Sequence, residues 1–442
     1  MLFAAPAFLT WVMHGPGGGV LTGLYAKYFG VSLAALGGAL LIGRIFDAVT
    51  DPLIGWLSDR TKSPIGSRKP FMIVGYSIAL IAFYFLFNPP ENPGVSYFLI
   101  CYMSLIFGWT VADIPHQAWQ SDISHDYDDR IRVTTFRAFA ERAGSWGFWF
   151  LPLLPIFATN EMTPEVIQFL GWVLVILIPI FVASAVIWVP EGKNLATKKT
   201  EPIWGFIKEL PSNKPMMLFV ATMLVSGIAD GFFSAGLFLF FDAYLQQGDK
   251  LSYAMLINGG IVLVAMPLWY RVGKKIGKHY LWMIAMSGSG IAMIGVFFAE
   301  PGETGYLIGL GVTTLVMGMY SAGNIAQPAI LTDIIDYDTL KYGANRSGQF
   351  FSIQLLVFKF NYAIAGSLAL FTLSYFNFDA TAAIQTASGA FGIKMVVGGI
   401  PMVCMALASA ILIFFPLNRH RCHIITRRLE QRAARVKRNA SR

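Results

Sequence analysis

The sequence predicts an all-α membrane protein: twelve transmembrane helices in two six-helix pseudo-repeat bundles around a central cavity. Three observations lead there. Of the 442 residues, 55% are hydrophobic and only 13% charged, and the mean hydropathy is +0.58, which is a polytopic membrane composition and not that of a soluble core. Apolar stretches long enough to cross a hydrocarbon core of ~30 Å recur along the whole chain. An acidic segment of the first half returns in the second: SDISHDYDDR at 121–130 and TDIIDYDTLK at 332–341, a separation of about half the 442-residue length.

The spans fall at 4–29, 32–58, 70–89, 95–120, 134–158, 166–189, 215–245, 252–271, 280–299, 304–331, 348–376 and 388–416. Inside a bilayer each backbone N–H and C=O must be satisfied within its own segment, so every span is read as a helix. The loops set the orientation. Loop 59–69 carries Arg60, Lys62, Arg68 and Lys69; loop 190–214 carries Lys193, Lys198, Lys199, Lys208 and Lys214; loop 271–279 carries Arg271, Lys274, Lys275 and Lys278; the tail from Arg419 is densely basic. Of the alternate loops, 90–94 has no Lys or Arg and 159–165 holds only Glu161 and Glu165 as charged residues. The bias puts both termini in the cytoplasm.

The expected domains are an N-terminal bundle at 1–190, a cytoplasmic linker at 191–214, a C-terminal bundle at 215–417 and a basic tail at 418–442. Each copy of the acidic repeat follows a span containing proline (Pro115, Pro328) and precedes an arginine and an aromatic (Arg132 and Phe136; Arg346 and Phe350). Parallel halves of this kind are a known transporter architecture.

Other classes are excluded in turn. Three cysteines, Cys101, Cys404 and Cys422, suggest neither a disulfide framework nor a zinc site. The net charge of +8 sits in short loops and the tail, which fits membrane orientation and not nucleic-acid binding. The first apolar segment runs on into further spans, so no cleavable signal peptide is expected. No nucleophile–base set or phosphate loop is present, and the Gly-Pro-Gly-Gly-Gly run after His14 lies inside a span, where it marks a closely packed or broken helix. An enzyme is not expected.

The chemistry begins at Asp47 and Asp51, inside the second span. Acids within a bilayer cost ~2.5–3.5 kcal/mol each on insertion scales. The i, i+4 spacing puts both on one face, where two like charges need a proton, a metal cation or a basic side chain. Arg44 and Gly55 share that stripe, and Thr50 adds a hydroxyl beside it. Oxygen ligands suit sodium, and carboxylates also suit a proton. The structural alternative is an Arg44–Asp pair tying helices together, in which Arg44 would neutralise only one acid.

Further polar residues follow in other spans. The fourth carries Asp113, with Thr110 one turn away and Gln117 and Gln120 continuing the face; Asp113 is a third cation ligand, a substrate acceptor or an inter-helix hydrogen-bond partner. The fifth carries Arg137 and Glu141 at i, i+4 with Arg142 beside them, either a clamp for a hydroxylated or anionic substrate or an intrahelical pair. The eleventh carries Lys359, with Ser352 and Asn361 near it, the tenth Asn324 and Gln327, and the seventh Asp230. A lysine at that depth must face the bundle interior. Trp109 and Trp119 are candidates for stacking on a sugar ring. Asp47, Asp51, Asp113 and Glu141 outnumber Arg44, Arg137 and Lys359 by one. That deficit fits one bound cation, and an inward-facing Arg142 would remove it.

Two resemblances sharpen these readings. GWLSDRTKSPIGSRK at 55–69 resembles the helix 2–3 loop signature of the major facilitator superfamily, which implies a cytoplasmic gating network of Asp59, Arg60, Arg68 and Lys69, joined by Arg130 and Arg132 at the first acidic repeat. More narrowly, GRIFDAVTDPLIGWLSDRT, ADIP, the Arg of FRAFA, TDIIDYDTLKYGANRSG and the Lys of LLVFK resemble segments of the glycoside–pentoside–hexuronide:cation symporters, over nearly the whole chain. That resemblance implies that Asp47 and Asp51 bind the coupling cation, sodium or proton, with Thr50 and Thr110 flanking them. It implies that Asp113 and Arg137 lie where sugar binds and that Lys359 sits near the cation.

The sequence departs from that family in the first span, which has no acid and carries Trp11 near the expected position. His116-Gln117 replaces an aromatic pair, Thr50 stands where a sugar-transporting member has asparagine, and Glu141 is an additional acid. The wider family also resembles animal lysophosphatidylcholine transporters. The expected function is therefore cation-coupled transport of a sugar, glycoside or related solute by alternating access. The alternatives are a lysolipid transporter and, from another class, a membrane sensor or scaffold. No cofactor beyond the coupling cation and no nucleic acid is expected. The bilayer of a bacterial inner membrane is the expected surrounding, and a monomer the expected state.

Overall fold

The computed structural model describes residues 2–14, 19–61, 63–123, 127–191, 210–342 and 347–440, and every regular element among them is helical. The first six spans correspond to α1 (Ala5–His14) with α2 (Gly19–Phe29), α3 (Leu33–Arg60), α4 (Lys69–Phe87), α5 (Val95–Ile123), α6 (Tyr127–Phe150) and α7 (Pro164–Trp188). The remainder are α8 (Lys214–Leu239), α9 (Leu251–Ile276), α10 (Lys278–Met293), α11 (Glu303–Tyr342), α12 (Ser347–Tyr375), and α13 (Ala387–Lys394) with α14 (Ile400–Ile413). The tail forms α15 (Arg419–Ala440). Short π-helical turns, Phe240–Tyr244 and Met395–Gly399, extend α8 and join α13 to α14.

Nine helices among the described residues are long and apolar enough to cross a membrane. The exceptions have physical reasons. α1 and α2 flank residues 15–18, which lie outside the described set. α6 carries Asp128, Asp129, Arg130, Arg132, Arg137, Glu141 and Arg142, which dilute its hydropathy. α12 offers two shorter apolar stretches, 349–358 and 364–375.

The helices also outrun the spans read from hydropathy. α6 starts at Tyr127, not 134, and α11 continues to Tyr342, not 331, so the second acidic repeat is helical. Hydropathy ends where hydrocarbon ends, whereas a helix emerging into water keeps its i→i−4 hydrogen bonds.

α3 shows how the acids are accommodated. Its N-cap Ser32 accepts a hydrogen bond from Ala35 N, satisfying one of the orphan donors of the first turn. Ile45, Val49, Leu53 and Trp56 form an exposed apolar stripe, suited to lipid. Asp47, Thr50, Ile54 and Ser58, on another face, are buried. The hydrophobic segment is thus amphipathic at helical period, with its polar stripe turned to protein.

α4 and α5 approach closely because small residues line their seam. A β-carbon on Gly75 would lie 2.7 Å from Gly108 O, and one on Gly108 would lie 2.8 Å from Gly75 O. Membrane helices use such residues to bring backbones together where no hydrophobic drive separates protein from lipid.

The chain divides into two compact units, each drawing on both halves of the sequence. The first comprises 1–199, 234–256 and 366–393; the second comprises 200–233, 257–365 and 394–442. The second unit has its own core around Met216, Phe219, Trp282, Ile330, Ile334 and Phe350, onto which α15 docks Ile425 with Cys422 and Leu429 beside it. Within the first unit, α2 meets the turn that ends α8: Lys27 Nζ lies 2.8 Å from an Asp242 carboxylate oxygen and 4.0 Å from Glu161. The Asp242 side chain is only 2% exposed. Chain crossings put this junction at the membrane face opposite loop 59–69.

Candidate functional site

Thr110 on α5 joins the two carboxylates of α3. Its Oγ1 lies 3.2 Å from Asp51 Oδ1 and 3.4 Å from Asp47 Oδ1. A hydroxyl has one proton, so it can donate to only one of them at a time. Arg44 Nη1 reaches Asp47 Oδ2 at 3.4 Å, a long contact that offsets one charge. Thr50 donates its hydroxyl to Phe46 O at 3.1 Å, which leaves its oxygen lone pairs for another partner. Two carboxylates and the Thr110 hydroxyl make an all-oxygen donor set. It fits a hard monovalent cation, and the carboxylates alone fit a proton.

One turn further along α5, Asp113 enters a second cluster. Arg137 Nη2 on α6 donates to Asp113 Oδ1 at 2.9 Å, and Gln117 Nε2 donates to Asp113 Oδ2 at 2.6 Å. Arg137 Nε donates to Glu141 Oε1 at 2.9 Å. The intrahelical pair raised for this arginine is formed, and the same guanidinium also pairs across to α5. Asp113 and Arg137 are buried, while the Glu141 side chain is 26% exposed. Arg137 Nη1 is buried with no hydrogen-bond partner among the described residues. Thr110, Asp113 and Gln117 stand at i, i+3 and i+7, so α5 presents one face to both clusters.

A third network lies at the membrane side of loop 59–69. Glu191, just past the end of α7, accepts hydrogen bonds at Oε1 from Ser67 N, from Ser67 Oγ at 2.9 Å and from Arg68 N at 3.0 Å. The carboxylate thereby caps the positive end of α4. Arg68 Nη1 donates to Ser58 Oγ at 2.9 Å, and the buried Lys69 ammonium sits over the Trp119 ring at 5.5 Å. Trp119 Nε1 donates to Glu191 O at 2.9 Å. Sequence reading passed over Glu191; the available signal was an acid at a span's exit beside a basic loop.

Trp119 therefore does not join the Asp113–Arg137 cluster. It is fully buried, its N–H is taken by backbone carbonyls, and its ring packs on Phe3. Six residues of helix turn it about a third of a turn away from Asp113. Trp109 is half-buried one turn before Asp113, on the cluster's face. His116 is buried against Phe3, whose carbonyl lies 2.8 Å from its Nε2. Arg60 lies over the Trp56 ring at 4.2 Å, and Arg142 is exposed.

Gln327, Asn324, Asp230 and Asn361 belong to the second unit. There Asn361 Nδ2 donates to Met223 O at 2.7 Å, tying α12 to α8. The side chains of Lys359, Ser352, Asp59, Gln120, Arg130, Arg132, Trp11 and His14 lie outside the described residues.

Comparison with known proteins gives the class. The chain is similar to the crystal structure of the nucleoside transporter NupG, with a TM-score of 0.64 at 14% identity, covering 93% of this chain and 98% of that one; this shows a major facilitator fold. It belongs to the family described as MFS/sugar transport protein, which matches residues 2–419. It is 26% identical over 419 residues to the uncharacterized symporter YnaJ of Bacillus subtilis (strain 168), covering 92% of this chain and 89% of the relative. It is 25% identical over 429 residues to the putative glycoside/cation symporter YagG of Escherichia coli (strain K12), covering 94% and 91%. The protein is an integral membrane transporter and not an enzyme.

Proposed function

We propose that the protein is a cation-coupled secondary transporter of sugar-like solutes, driven by sodium or protons and working by alternating access. One observation supports this above the rest: α5 holds Thr110 against Asp47 and Asp51 and, a turn later, Asp113 against Arg137. A single rigid element thus touches a cation-type donor set and a hydroxyl-binding cluster. Filling the first orients α5 for the second, so cation raises sugar affinity and sugar raises cation affinity by the same factor. The printed name of one relative, a putative glycoside/cation symporter, points the same way and favours a sugar over a lysolipid.

In this reading Asp47, Asp51, Thr50 and Thr110 hold the cation. Asp113, Arg137, Gln117 and Trp109 meet the solute. Arg68, Lys69 and Glu191 seal the cytoplasmic side, with Asp59, Arg60, Arg130 and Arg132 in the same gate. The protein works as a monomer in a bacterial inner membrane with both termini in the cytoplasm, as the basic loops require.

The test is uptake by proteoliposomes of labelled neutral glycosides under an imposed sodium or pH gradient. Wild type is expected to accumulate at least one glycoside when the gradient is applied. Asp51→Asn is expected to retain folding and glycoside binding and to lose gradient-driven accumulation. Undiminished accumulation by Asp51→Asn would sink the assignment.

A further inference from the structure

We infer that Glu141 sets the substrate class: the cluster admits neutral, hydroxyl-bearing glycosides and rejects those carrying a carboxylate. The assignment rests on the sugar-transport reading proposed above and names which sugars the site takes. Arg137 is the residue that would recognise an acidic sugar, because a guanidinium binds a carboxylate through two parallel N–H groups on one edge. Each such edge combines two of its nitrogens. Here Nη2 is taken by Asp113 Oδ1 at 2.9 Å and Nε by Glu141 Oε1 at 2.9 Å. Nη1 is buried and unpartnered among the described residues, and Nη2 keeps its second N–H. Each edge already has a carboxylate on at least one of its nitrogens. One nitrogen's N–H groups suit a hydroxyl or ring oxygen.

Charge argues the same way. Two carboxylates around one guanidinium leave the cluster at net −1. Among the described residues, Gln117 beside it is an amide, and Arg142, next to Glu141, is exposed on its own helix. The position is poor for an anion and good for a polyol, whose hydroxyls can donate to carboxylate oxygens while accepting from Nη1. Without Glu141, the Nε donor would be open and the triad would become a neutral Asp113–Arg137 pair that no longer repels a uronate.

The experiment uses matched probes that differ only at carbon 6, CH2OH against carboxylate: p-nitrophenyl glucoside with glucuronide, and p-nitrophenyl galactoside with galacturonide. A p-nitrophenyl xyloside serves as a neutral pentoside. Binding is read by ligand-induced thermal shift of the full chain in nanodiscs, with and without sodium and at two pH values. Wild type is expected to bind a neutral member and to bind its uronate at least about tenfold more weakly. Glu141→Gln, which keeps the shape and removes the charge, is expected to narrow that ratio by about tenfold.

A wild type that binds uronates as well as neutral partners, with cation dependence, overturns the inference and leaves the transporter reading standing. Binding of no sugar under any cation condition overturns both. The wild-type ratio decides even if the variant does not fold. In a folded variant, an unchanged ratio removes Glu141 from the specificity role.

Discussion

Thr110 is one hydroxyl shared by two carboxylates, and that arithmetic predicts its effect. Asp47 and Asp51 lie 3.4 and 3.2 Å from its Oγ1, so the hydroxyl can donate to only one of them at a time. Thr110→Val keeps the shape and removes the hydroxyl. It is expected to weaken cation-dependent sugar binding by about tenfold, the worth of roughly one hydrogen bond to a charged group, while Thr110→Ser restores it. Titration of sugar affinity against sodium or pH in the two variants checks this. Equal cation dependence in Val and wild type would remove Thr110 from the site. Trp119, a stacking candidate in the sequence, spends its indole N–H on backbone carbonyls beside the α4 cap.

At the scale of elements, α4 begins under a carboxylate from another segment. Ser67 and Arg68 supply the orphan N–H groups, and Glu191 accepts both, so α7's exit and α4's entry are pinned together. Glu191→Gln retains an acceptor oxygen and removes the charge. The expected cost is about 1–2 kcal/mol, visible as faster hydrogen exchange at the Ser67 and Arg68 amides with little change in α5. Unchanged exchange at those amides would show that the cap is dispensable. α5 needs no such external support along its middle, because Gly75 and Gly108 let α4 lie directly on its backbone.

At the scale of the whole molecule, the first unit collects the N-terminal helices together with 234–256 and 366–393. Its junction away from loop 59–69 carries Lys27 and Asp242, the latter with a side chain 2% exposed. Removing one member of a buried pair costs more than removing both, since the survivor keeps its desolvation penalty. Lys27→Met is expected to lower stability by about 3 kcal/mol, the low end of the usual range because Lys27 is 26% exposed. Lys27→Met with Asp242→Asn is expected to recover part of that loss. Melting temperatures of the two variants in one detergent decide it, and a double variant no better than the single would show that the pair does not couple.

What the sequence determined alone was the fold class and the cation-type motif, because both are one-dimensional. Membrane spans are written as long apolar runs, and Asp47 and Asp51 on one helix face follow from i, i+4 spacing. The family resemblance and the family match agree over nearly the full chain. Pairings between helices could not be read in this way. That Thr110 serves the acids of α3 while Asp113, one turn on, serves Arg137 depends on which neighbours α3 and α6 present to α5. Spacing along one helix does not encode that. Glu191 became legible only when chain crossings brought the end of α7 to the start of α4. Likewise, only the tertiary structure decided how the Arg137 guanidinium is shared, since hydrogen-bond geometry is set by the side chains that converge on a group and not by their order in the chain.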